Sequence, residues 1–151
     1  MNDHNAKTAL VHSLNGLLAD LFTLYLKTKN FHWHVKGPQF HDLHLLFDAQ
    51  AGAIFGLTDI VAERGRKNDG AALTGIGAIA AASRIGDQPR SDLSAQEMIA
   101  ELRDDNRKLV EAIREVKSAA GAAGDNATEG LADDWTDQAE TRVWFLGSLL
   151  G

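Results

Sequence analysis

The stretch PQFHDLHLLFDAQAGAIFGLTDIVAERGR, residues 38–66, decides how this chain is read. Its apolar positions Phe40, Leu43, Phe47, Ile54, Leu57, Ile60 and Val61 recur at the spacing of an amphipathic helix. Pro38 suits a first helical position, and the helix is expected to stop before Asn68-Asp69-Gly70.

The polar residues of this helix are spaced for a shared purpose. His44 and Asp48 lie four residues apart, as do Asp59 and Glu63, so each pair shares a face. Asp48 and Asp59 are 11 residues apart, close to a whole number of turns, so all four fall on one stripe. At about 1.5 Å per residue the two pairs are roughly 16 Å apart along the axis. Metal–ligand bonds to nitrogen and oxygen are about 2.0–2.3 Å long. One helix therefore cannot close a single metal site from both pairs.

A twofold axis resolves this. When the helix packs antiparallel on a second copy so that residue i faces residue 107 − i, His44 falls opposite Glu63 and Asp48 opposite Asp59. One axis, between Ala53 and Ile54, then closes two identical sites with ligands from both chains. The sequence there is Ala51-Gly52-Ala53-Ile54-Phe55-Gly56, and small residues let helices approach closely. Imidazole with carboxylates is a donor set for iron, zinc or manganese. Few ligands per metal leave open positions, as redox chemistry with a small oxidant requires. His32 is placed to add another imidazole. The competing reading, a solvated helix face, accounts for either pair alone but not for their shared complementarity.

Working outward, Leu10, Leu14, Leu17, Leu18, Leu21, Leu24 and Tyr25 predict a first helix over about residues 5–34. Residues 71–82 (AALTGIGAIAAA) read as a crossover with one short helix. Ser94-Ala-Gln-Glu97 is a capping box that opens a third long helix. Ile99, Leu102, Leu109, Ile113 and Val116 carry it to about Ala120. Gly121 to Asp125 is a turn, and a fourth helix presents Leu131, Trp135, Val143, Leu146 and Leu150 on one face. No strand-like alternation competes. The fold class is all-α, a ferritin-like four-helix bundle with a short extra helix in the crossover between the second and third. One domain spans residues 1–151.

Composition is consistent with this. The chain is 44% hydrophobic and 24% charged, with no cysteine to form a disulfide or thiolate site. A net charge of −6 argues against general nucleic-acid binding and suits the handling of cations. No uninterrupted apolar run reaches 18 residues, so no membrane span is expected. Met1-Asn2-Asp3-His4 lacks the start of a signal peptide, and a cytoplasmic location is expected.

Asn30-Phe31-His32-Trp33-His34-Val35-Lys36-Gly37-Pro38-Gln39-Phe40, then Leu43-His44, Phe47-Asp48 and Asp59-Ile60-Val61-Ala62-Glu63-Arg64, resemble the signature of the Dps proteins, the miniferritins. The resemblance implies a hollow dodecamer with ferroxidase centres on its dimer twofolds. It implies oxidation of Fe(II), typically by hydrogen peroxide, with O2 as the alternative oxidant, and storage of ferric mineral. Carried over by position, His32, His44 and Asp48 come from one chain and Asp59 and Glu63 from its partner, with Trp33 beside the centre to take up an oxidising equivalent. The carboxylates would stabilise Fe(III) and the histidines help hold Fe(II). His34 stands where the family often has asparagine, and His41 lies one turn before His44. The fourth helix matches only loosely, through Thr128, Trp144, Phe145 and Leu146.

Relatives that coat DNA often carry a lysine-rich tail, since phosphate contact needs clustered cations. Here only Lys7 precedes the first apolar positions and Gly151 follows the last helix, so DNA binding is expected to be weak or absent. Asp125, Glu129, Asp133 and Asp134 either line an iron-entry pore or favour the start of the fourth helix through its dipole. An architectural DNA-binding protein of the same fold is the alternative function. A conventional intrachain ferritin site would need Glu-x-x-His motifs, and the chain has none.

Overall fold

The computed structural model describes residues 2–151. Five helices follow in order: α1 (Asp3–His34), α2 (Phe40–Lys67), α3 (Ile76–Ala82), α4 (Ala95–Ala122) and α5 (Asn126–Ser148). The four long helices form the bundle. α1 packs on α2 and α4, and α4 on α5. No strand occurs among the described residues.

The ends of the helices are set by local chemistry. The Asn2 side chain accepts from Asn5 N–H and starts α1 two residues earlier than its apolar pattern indicates. Pro38 does not open α2 as expected. It sits in a turn with Gly37, whose φ of 111° favours glycine, and Gln39 is the N-cap. Ser94 caps α4 by accepting from Glu97 N–H. Asp125 caps α5 by accepting from Thr128 N–H.

The core is the expected leucine stripe of α1 together with Leu43, Phe47, Ile54, Leu57 and Val61 of α2 and Leu102, Leu109, Ile113 and Val116 of α4. α5 differs from expectation. Its buried face is Thr128, Ala132, Trp135, Ala139, Arg142 and Leu146, while Leu131 and Val143 lie at its margin and Leu150 falls beyond the end of the helix. The small residues let α5 sit close, and Arg142 is admitted because its Nε donates to Asn106 Oδ1 at 2.7 Å. Burial without a carboxylate partner pulls its pKa down to about 10.

The crossover is tied down by charge. Arg84 donates to Asp20 and Glu115, Lys27 donates to Gly86 O and pairs with Asp105 at 2.7 Å, and Asn30 donates to Gln88 O. α1 and α2 are long and apolar enough to cross a membrane by length and composition. Their leucine-rich stripes are instead buried in the bundle, and α1 carries Asp20 and Lys27 within the packed interior. They are core helices, and their apolar content is that of a bundle interior.

Candidate metal centre

The end of α1 and the start of α2 are joined by a tight turn, so His32 and His44 meet across it. Their rings stack at 3.9 Å between centroids. His32 Nδ1 lies 2.6 Å from His44 O, and His44 Nδ1 lies 2.8 Å from His32 O. A carbonyl oxygen only accepts, so each Nδ1 must carry the proton and donate. In the neutral ring each Nε2 then keeps its lone pair, the form in which imidazole binds metals. Phe40 stacks on the outer side of His44 at 5.1 Å. The pair of histidines is thus held by backbone on both sides before any metal arrives.

Asp48 lies beside the two rings. His32 Nε2 is 3.7 Å from Asp48 Oδ1, and Lys29 Nζ donates to the same oxygen at 2.7 Å. The Lys29 hydrogen bond outweighs the small effect of burial and holds the Asp48 carboxyl below its usual pKa. Asp48 is therefore an anion at neutral pH. The Lys29 ammonium also lies 6.0 Å from the Trp33 ring centroid, within reach of a cation–π contact. Trp33 itself is 56% exposed.

Asp59 and Glu63 are exposed on the outward face of α2, the face that carries Asp48. They do not join the other three within the chain. Among the described residues, no group of three or more His, Asp or Glu side chains within one chain is close enough to hold a metal. His34 turns away and bonds to Asn30 through Nδ1 at 2.7 Å and 2.9 Å, and His41 is exposed.

The far end of α2 is braced by a network of residues whose contact no spacing along the chain predicts. Arg64 donates to Thr128 Oγ1 and to both oxygens of Asp125, and Asn68 donates to Asp125 Oδ2. Burial pushes the Asp125 carboxyl up, but hydrogen bonds from Thr128, Asn68 and Arg64 outweigh it and hold the group far below the usual carboxylate range. Asp125 is thus a cap and an ion-pair partner within the chain. Asp133 pairs with Lys117.

Residues 11–151 match the family model of the ferritin-like domain. The DNA protection during starvation protein of Brevibacillus brevis is 31% identical over 91% of this chain and 91% of its own length. The chain belongs to the Dps miniferritins. The solved Dps of Thermosynechococcus elongatus superposes with a TM-score of 0.96 at 26% identity, covering 100% of this chain and 96% of that one. The Vibrio cholerae Dps, described as a member of a broad superfamily of ferritin-like diiron-carboxylate proteins, superposes with a TM-score of 0.92 at 25% identity, over 98% and 92% of the two chains. The Dps fold is that of iron storage and protection in general, and the donor set on α1 and α2 fits that role.

Proposed function

We propose that this chain is a ferroxidase and iron-storage subunit that oxidises Fe(II), with hydrogen peroxide as the oxidant, at sites shared between two copies. The observation that carries this is the half-site itself. Two imidazoles with free Nε2 lone pairs converge beside an ionised carboxylate, and two further carboxylates stand on the same helix face too far along it to reach. A second copy, antiparallel about the 107 − i register, brings its Asp59 and Glu63 to His32, His44 and Asp48.

In this reading iron is the substrate. The imidazoles favour Fe(II), and the hard carboxylate oxygens favour Fe(III) as it forms. Hydrogen peroxide takes up two electrons and two protons to give two waters, and each ferrous ion supplies one electron. Where a second ferrous ion is missing, Trp33 is the residue we assign to supply the other electron. The ferric product is kept inside a hollow oligomer, a dodecamer by resemblance, in a cytoplasmic setting. Consuming peroxide and free Fe(II) together protects DNA without contact, which suits a chain of net charge −6.

The test is peroxide-driven oxidation of Fe(II) added anaerobically to apo-protein, followed by Fe(III) absorbance. His44→Ala with Asp59→Ala should lower the initial rate by more than about a hundredfold, since losing a residue that only orients a ligand already costs about tenfold to a hundredfold. Equal rates for variant and native protein would remove the ferroxidase reading.

A further inference from the structure

The outward face of α2 is apolar where a lone helix would be polar. Leu45, Phe55 and Ile60 are exposed there, set among Ala49, Gly52, Ala53 and Gly56. Phe55 is 50% exposed yet well held, with its ring 4.9 Å from Tyr25 and 6.4 Å from Phe22 on α1. At Gly52 and Gly56 an added Cβ would meet nothing within 4 Å. Glycine inside a helix costs about 1 kcal/mol against alanine. Nothing within the chain fills the space over either position, so this face of the helix is open to a surface that comes close.

The register that pairs His44 with Glu63 and Asp48 with Asp59 also sets Phe55 level with residue 52 of the second copy. Phe55 further lies on the ligand stripe. At about 100° per residue it is about 20° round the helix from Asp48 and about 40° from Asp59, and it falls between them along the axis. A twofold axis perpendicular to both helices keeps this stripe on the same side of the pair. Two phenylalanines then occupy the space between the two metal sites.

We propose that Phe55 of each chain seats against Gly52 of the partner subunit, and that this knob-and-hole pair sets the separation of the two α2 helices and so the closure of both shared metal sites. The partner is a second copy of this chain. Size matching explains both the exposed, braced aromatic ring and the empty space over the glycine. The proposal rests on the shared-site reading above.

The test compares Gly52→Leu, Phe55→Ala and the double variant with native protein. Mass in solution is read over a concentration series, Co2+ binding by its visible absorption, and helix content by circular dichroism. Overpacking at Gly52 should weaken the dimer by about tenfold or more and abolish tight Co2+ binding while helicity is retained. Phe55→Ala, at a half-exposed side chain, should weaken the dimer by several-fold while helicity is retained. The double variant should recover assembly and Co2+ binding, because the room left by Phe55 accepts the new leucine.

Gly52→Leu that assembles and binds Co2+ like native protein would overturn the seat. So would a double variant no better than Gly52→Leu alone. Should Gly52→Leu lose its helicity, the outcome falls on Phe55→Ala, and an unchanged dimer there overturns the proposal. Native protein that binds Co2+ tightly as a monomer would sink the shared-site reading itself, a different result from any of these.

Discussion

His32 and His44 sit on different helices, yet each ring is held by the other residue's backbone. That reciprocity matters because an imidazole with a loose ring or the wrong tautomer is a poor ligand. Lys29 acts on the same centre in the opposite sense. It occupies Asp48 Oδ1, the oxygen that faces His32 Nε2, so a divalent ion entering there must displace it. Lys29→Met should therefore raise the affinity for Co2+ by a few-fold, the modest scale of an exposed ion pair, as read by titration under conditions where the protein is assembled. Lower affinity in the variant would mean that Lys29 helps to build the site instead of guarding it. Lys29 was open to discovery from sequence, being one turn before His32, but its partner Asp48 lies 19 residues away on another helix. No spacing within one helix reports such a pair.

At the scale of elements, the shared-site reading needs α2 fixed at both ends for its Asp59 and Glu63 to meet a partner. The tight turn through Gly37 fixes one end, and the Arg64–Asp125–Thr128–Asn68 group fixes the other. Asp125→Ala removes the α5 cap and strands a guanidinium whose side chain is only 14% exposed. The expected cost is about 2 kcal/mol, from a lost cap and a broken, partly solvated pair, measurable by thermal or urea unfolding. The pH dependence has a definite sign. The folded-state pKa of Asp125 lies below its unfolded value, so its stabilisation is complete above about pH 4 and is lost as pH falls from there. The Asp125→Ala variant should show a flatter acid limb than native protein below about pH 4. Helix identities and order were legible in the apolar periodicity, and the α4 cap in Ser94-x-x-Glu97. The buried face of α5 was not, because Ala132 and Ala139 give weak signals and Arg142 reads as a surface residue until Asn106 is seen beside it.

For the whole molecule, metal binding and assembly should be one equilibrium. In the shared-site reading three carboxylates, Asp48, Asp59 and Glu63, come together only across the twofold, and a divalent cation bound between chains favours the joined state. Co2+ should therefore raise the unfolding temperature of native protein, with a dependence on protein concentration that Asp59→Ala lacks. An equal rise in both would show that the ion binds within one chain. The apolar outward face of α2 sits badly with an isolated subunit and well with this coupling.

The sequence by itself determined four long helices, the crossover, and the two carboxylate-bearing pairs that no single chain can bring together. Those features are local or periodic, and periodicity survives without coordinates. Only the tertiary structure decided which imidazole nitrogens donate to backbone, that Lys29 holds Asp48, that Asp125 is a partly buried cap, and that Phe55 stands braced beside an open glycine. Each of these depends on groups from different helices meeting at hydrogen-bond or van der Waals distance, and that is set by packing and not by spacing along the chain.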